Sequence, residues 1–174
     1  MFRILDSSSA SGRIAFAASV AALVFGGPTS RVSAQGVIMQ RNLSLGLAKS
    51  IVEATLAECS SKGFHTAAAV IDRAGQILVV MRDEQAGPET AEMARRKAYT
   101  ARMFRTTTLE FRQRTTDPAL APQRNAPEAL ALGGGVPILA GGEIIGGVGS
   151  SGSNQEMDDA CAKAGVARVA DVLK

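Results

Sequence analysis

The sequence has no tryptophan, a single histidine (His65), a single tyrosine (Tyr99) and two cysteines (Cys59, Cys161) among 174 residues. Each scarcity removes a class of chemistry. A Ser–His–Asp hydrolase would have to recruit His65, and no serine stands in a G-x-S-x-G elbow. A structural zinc site wants four nitrogen or sulfur ligands, which one histidine and two cysteines do not supply. General acid–base catalysis wants a group that titrates near the working pH, and His65 is the one obvious candidate. The apolar run near the N-terminus, Ile14 to Phe25, is twelve residues long. That falls short of the roughly 20 needed to cross a bilayer core, so no stable membrane anchor is expected.

That run reads instead as a secretory leader. Arg3 and Arg13 precede it, Gly26, Gly27 and Pro28 break it, and Val32-Ser33-Ala34 offers small residues at the cleavage positions before Gln35. The expected division is a signal peptide over 1–34 and one domain over 35–174, in a periplasmic or secreted protein. The leader holds Arg3, Arg13 and Arg31 against Asp6, so the remaining chain carries 16 basic and 15 acidic residues. A near-neutral balance implies no nucleic-acid partner. Charge is nonetheless uneven: seven basic residues between Arg95 and Arg114 meet one acid, Glu110. Such a run is either a solvated helix face or a seat for a carboxylate-bearing ligand.

Both cysteines fall on the apolar side of an expected helix, where a free cysteine packs as a small hydrophobe. An even count in an exported chain equally permits a bridge.

Periodicity gives the order of elements. Leu45, Ala48, Val52, Leu56 and Cys59 recur at helical spacing, with Gly63 placed to end the helix. A hairpin follows: Thr66 to Asp72, a turn through Arg73, Ala74 and Gly75, then Gln76 to Arg82. A helix begins near Pro88 or Thr90 with Ala91, Ala94, Ala98, Ala101 and Phe104 on one narrow face, suited either to close packing or to a flat ligand. Thr106, Thr107 and Thr108 interrupt it and cap a short helix, and Thr115 to Pro127 is a proline-bearing loop. A second hairpin spans Val136–Ala140 and Glu143–Val148 around Gly141-Gly142. A last helix opens with a Ser153/Glu156 capping box and carries Met157, Cys161, Ala164, Ala167 and Leu173 on one face. Two hairpins separated by helices predict an α+β fold with an antiparallel central sheet flanked by helices.

Gly147, Gly149 and Gly152 spell G-x-G-x-x-G, but no strand follows the last helix, and Glu156, Asp158 and Asp159 load its first turn with charge that repels a pyrophosphate. The glycines are therefore expected to serve geometry. Two ligand readings remain. His65 is either a hydrogen-bonded edge residue or a metal or haem ligand. Glu89 and Glu92, at i and i+3 in a first helical turn, are either partners of the helix dipole or ligands of an iron or calcium ion.

The runs AAVIDRAGQILVVMRD, ARRKAYTARMFRTTT and GGGVPILAGGEIIGGVGSSGSNQEMDDACAKAG resemble the GlcG/HbpS family of haem-binding proteins, including the similar domain at the end of PduO proteins. The G-G-x-P-I and G-x-I-G-G-x-G-x-S-G patterns are the most specific part, and the likeness extends from about Ala67 to Ala167. It implies an α/β/α sandwich, a symmetric homo-oligomer, and haem binding, in some members with iron binding or haem breakdown under oxidants. A threonine ligates the iron in one member and a histidine in another. Thr100 and Thr107 answer to the first here and His65 to the second. Arg96, Lys97 and Arg105 would then pair the haem propionates, and the alanine face with Phe104 would take the porphyrin. A role in haem or iron handling or in redox sensing follows from the resemblance. The alternative it leaves is a small-molecule enzyme or accessory factor in organic-acid catabolism, with the same basic helix holding a substrate carboxylate.

Overall fold

The computed structural model describes residues 36–174; the leader reading of 1–34 lies outside them. Nine elements follow in order: α1 (Leu45–Ser61), β1 (Ala67–Asp72), β2 (Ile77–Arg82), α2 (Thr90–Phe104), α3 (Thr108–Arg114), a 3-10 turn (Ala121–Asn125), β3 (Gly135–Ala140), β4 (Glu143–Ser151) and α4 (Gln155–Ala167). The strands form one sheet in the order β2-β1-β4-β3, every neighbouring pair antiparallel. The expected α+β architecture is the observed one. Among the described residues no helix is long and apolar enough to cross a membrane.

Alternation along β1 divides the core into two layers. Ala68 and Val70 join Ile51 and Val52 of α1, Ala162 of α4, and Ile138 and Val148 of the second hairpin. Ala67 and Ala69 meet Ala94 of α2 on the opposite face. Successive strand side chains point to opposite faces, so a strand buried on both faces reads as a continuous apolar run, as AAAVI does.

The alanine face of α2 takes the closely packed option. Ala94, Ala98 and Ala101 are fully buried, and a Cβ added at Gly149 would fall on the carbonyl oxygen of Ala94, one at Gly147 on that of Ala98. Backbone lies directly on backbone there, so this face is not open to a porphyrin. Gly152 has φ +136, and a Cβ on it would meet the His65 carbonyl and Thr66. Both Gly149 and Gly152 therefore serve geometry, one through close approach and the other through a backbone conformation that side chains disfavour.

Three sequence expectations change at α4. Its cap is Asn154, whose side chain accepts from the Met157 N–H at 2.8 Å, while Ser153 Oγ donates instead to Asp158 Oδ1 at 2.7 Å. The helix ends at Ala167 rather than running on, and Ala167 is exposed. Asp158 and Asp159, read from the sequence only as charge in the first turn, are buried. The cysteines are not free: Cys59 of α1 and Cys161 of α4 form a disulfide with Cα atoms 5.5 Å apart. The bridge joins two helices packed side by side across 102 residues of chain, a proximity that local periodicity does not reveal.

The loop from Thr115 is ordered by its own side chains. Arg124 Nε donates to Thr115 Oγ1 and its terminal nitrogen to the Arg112 carbonyl, both at 2.7 Å, pinning the 3-10 turn against α3.

Candidate functional site

The sole histidine is placed by two neighbouring elements. At the end of α1 the Gly63 N–H donates to the Ser60 carbonyl and the Phe64 N–H to that of Cys59, which closes the helix and turns the chain toward β1. The β1–β2 register opposes Ala67 to Arg82, and the Asp83 N–H donates to the Thr66 carbonyl at 3.0 Å. That pairing sets His65 against Asp83, with Nδ1 3.1 Å from Oδ1. The Gln85 N–H, which donates to the same oxygen at 2.8 Å, and then His65 hold the Asp83 carboxyl below its ordinary value. The imidazole side chain is 44% exposed. The Nδ1 contact with Asp83 leaves Nε2 without a partner among the described residues, the arrangement in which an outer carboxylate orients a metal-binding imidazole.

Beside this pair lies a groove of about 320 Å³ between α1 and β2, walled by Leu56, Ala57, Phe64 and Met81, with Ser60, Thr66, Arg82 and Asp83 as its polar members. His65 itself does not line the groove; its partner Asp83 does, and that carboxylate is where the pair and the groove meet.

The other expected site residues are dispersed along α2 and α3. Lys97 does not reach solvent: its Nζ donates to Asp158 Oδ2 at 2.7 Å and to the Ser150 carbonyl at 2.9 Å, and both side chains of the pair are 2% exposed. Burial pushes the ammonium below its ordinary value against the pull of Asp158. Thr100 is equally enclosed, its hydroxyl donating to the Arg96 carbonyl and accepting from the Leu130 N–H, both at 2.8 Å. Arg96 is spent on the backbone of the loop before β3, donating to the Ala129 carbonyl at 2.7 Å. The sequence left the basic run as a solvated face or a carboxylate seat; instead the buried acid on α4 draws Lys97 inward and loop carbonyls hold Arg96.

At the far end of α2, Phe104 stacks on Phe111 with centroids 4.3 Å apart, and Arg114 lies over both rings. Arg105 ends the helix in the left-handed region (φ 57) and is exposed. Thr107 caps α3, accepting from the Glu110 N–H at 3.2 Å while the Glu110 carboxylate returns to the Thr107 N–H. The Thr106 hydroxyl, the largest influence, holds Glu110 below its ordinary value. Glu89 and Glu92 stand at the opposite end of α2, on the side of the sheet where β1 begins. Glu92 is held by Arg95 in a two-pronged contact (2.8 and 2.6 Å), which lowers its carboxyl, and Glu89 is exposed. Among the described residues no three His, Cys, Asp or Glu side chains converge as a metal site requires. The fifteen residues of α2, about 22 Å of helix at 1.5 Å per residue, therefore separate Phe104, Arg105 and Thr107 from the end that holds His65, Glu89 and Glu92.

Asp83, Thr66 and Arg82 are not among the site residues expected from the sequence. The turn at Gly75 alone does not reveal the contact: the register shifts between Val70 and Ile71, which brings Arg82 opposite Ala67 and Asp83 opposite Thr66, next to His65.

Comparison with known proteins follows the same outline. A family model described as "Haem degrading protein HbpS-like" matches residues 43–167. Protein GlcG of Escherichia coli K12 is 33% identical over 109 residues, covering 63% of this chain and 81% of that protein. Among solved structures, HbpS superposes with a TM-score of 0.73 at 33% identity, covering 78% of this chain and 97% of that one. A PduOC:heme complex superposes with a TM-score of 0.66 at 25% identity, covering 72% and 94%. Motifs, topology and family match agree, and the chain belongs to the HbpS-like family.

Proposed function

We propose that this protein binds haem through the imidazole of His65, outside the cytoplasm, in haem or iron handling. The observation that carries the reading is the His65–Asp83 contact of 3.1 Å, which orients a half-exposed imidazole through a carboxylate that itself lines an apolar groove. Family membership and the likeness to a domain solved with haem support it. Bound haem would supply iron chemistry. The chain's own part is to fix the imidazole through Asp83, to cover one porphyrin edge with Leu56, Phe64 and Met81, and to offer Arg82 to a propionate. Of the three candidate ligands, Thr100 is sealed and Thr107 is committed to its cap, so His65 is the residue free to act.

Export is supported by the leader pattern over 1–34 and by the buried Cys59–Cys161 bridge, since structural disulfides belong to oxidising compartments. A homo-oligomer is supported by β2, an edge strand that leaves Ile77, Val80 and Met81 exposed, because an unpaired apolar edge invites a partner.

The test is a hemin titration of protein starting at Gln35, followed at the Soret band. A saturable shift that His65→Ala abolishes is expected. A titration with no saturation, or an unchanged one in His65→Ala, sinks the assignment.

A further inference from the structure

The seven basic residues between Arg95 and Arg114 are not engaged alike. Arg95 is held by Glu92 and Glu128, Arg96 by the Ala129 carbonyl, Lys97 by Asp158, and Arg102 by the Arg73 carbonyl. Arg114 lies over the Phe104 and Phe111 rings and donates to Gln123 Oε1 at 3.3 Å. That leaves Arg105 and Arg112, both exposed, whose side chains have no partner among the described residues. Arg112 stands at a groove. Leu109, Arg112, Gln113 and Thr116 recur at i, i+3, i+4 and i+7, one face of α3 and the turn after it, and with Arg124 they line a cavity of about 550 Å³. No acid lines it. The carboxylates nearest in sequence are engaged elsewhere, Glu110 with Thr106 and Thr107, and Asp117 with the Ala119 N–H.

We propose that this groove binds a small monocarboxylate with an apolar body, the Arg112 guanidinium taking the carboxylate and Leu109 the body. A long side chain on a helix leans toward the preceding turn, which sets Arg112 over the Leu109 position. Leu109 is half-buried with Cδ2 against Gly133, so it offers a fixed apolar surface. Arg124 is exposed but anchored, its Nε by Thr115 Oγ1 and one terminal nitrogen by the Arg112 carbonyl, and its other terminal nitrogen has no partner among the described residues. It adds a second donor whose position is already set. A helix C-terminus ordinarily repels an anion. Here the last four carbonyls of α3 all accept hydrogen bonds: Phe111 and Arg112 from the Thr115 hydroxyl, Arg112 again from Arg124, Gln113 from the Thr116 hydroxyl, and Arg114 from the Asp117 N–H. A carboxylate has one charge and two oxygens and takes paired bonds from a guanidinium, so it matches these few donors. The length of α2 separates α3 from the end that holds His65, and the seat does not rest on the haem assignment.

The experiment is a calorimetric titration of protein starting at Gln35 with hexanoate, with its neutral counterpart hexanamide and with inorganic phosphate. Hexanoate should bind saturably, and the other two roughly tenfold or more less tightly. Arg112→Gln should weaken hexanoate by a factor of roughly ten or more, as the loss of a charge-assisted hydrogen bond does. Its melting temperature should match wild type, because the Arg112 side chain holds no other part of the described chain. Arg112→Lys should recover only part of the loss, since an ammonium keeps the charge without the fork. Arg105→Gln, which removes the same charge from the same basic run outside the groove, should bind hexanoate as wild type does, and so should His65→Ala. Equal binding of hexanoate and hexanamide, or of hexanoate by wild type and Arg112→Gln, overturns the seat. Phosphate bound more tightly than hexanoate also overturns it, as does hexanoate binding lost in His65→Ala, which would place the acid at the imidazole. Absence of hexanoate binding refutes the seat whatever the hemin titration gives.

Discussion

Lys97 and Asp158 meet at 2.7 Å in the interior, a lysine of α2 reaching the first turn of α4 across the end of β4. The pair is completed by Ser153, whose hydroxyl and N–H both donate to Asp158 Oδ1, and by the Ser150 carbonyl, which accepts from Lys97. Taking two charges out of water costs about as much as their attraction returns, but removing one partner leaves the other charge buried alone.

Lys97→Met should therefore destabilise the protein by about 3–5 kcal/mol. Lys97→Met/Asp158→Asn, which leaves no buried charge and keeps acceptors for Ser153, should lose clearly less. Urea denaturation of the three proteins checks this. A double variant no more stable than the single one would show that the loss does not come from a stranded charge.

Gly149 carries a second prediction. Its Cβ would land on the Ala94 carbonyl, and Ala94 is fully buried, so α2 must move off the sheet to accept alanine. Overpacking of this kind costs about 1–3 kcal/mol. Gly149→Ala should lower the melting temperature with or without added NAD or ATP, and Gly152→Ala should do the same through its backbone conformation. A wild-type melting point that rises with nucleotide would restore the dinucleotide reading of G-x-G-x-x-G.

How far the sequence led can be judged from these residues. Both hairpins were legible because turn glycines and the short β-rich runs on either side of them are local signals, and the C-terminal cap of α1 and the N-terminal cap of α3 were legible for the same reason. The burial of Lys97, Asp158 and Asp159 was not. Charged residues at helical spacing look alike whether they face water or a partner some sixty residues away. The groove was legible only in part. His65 drew notice through its scarcity, whereas Asp83 reaches it only through a strand register that shifts between Val70 and Ile71.

The Cys59–Cys161 bridge closes a long loop and ties α1 to α4. Removal of such a bridge typically costs about 2–5 kcal/mol. Cys59→Ala/Cys161→Ala should lose stability in that range, and the wild-type protein should lose a similar amount when unfolded with a strong reductant present. Identical denaturation curves with and without reductant would mean that the bridge does not form.

The last prediction concerns Asp83, which touches no ligand in the proposed site and acts by holding His65. Outer partners of metal-binding imidazoles are commonly worth about 10–100-fold in metal affinity. Asp83→Asn keeps the size of the side chain and removes its charge, so hemin affinity should fall by roughly that factor while the Soret position of the residual complex is retained. The effect of pH has a definite sign. The Asp83 carboxyl is held below its ordinary value, so its contribution is complete above the usual carboxylate range, near pH 4, and is lost only as pH falls through the depressed value. The affinity gap between wild type and Asp83→Asn should therefore stay constant from pH 5 to about pH 8, as far as Asp83 is concerned, and close at more acidic pH. Hemin titrations of both proteins across that range decide the matter. A gap that is absent at neutral pH would show that Asp83 does not orient the imidazole, and one that opens as the solution is acidified would show that its charge acts in the opposite sense.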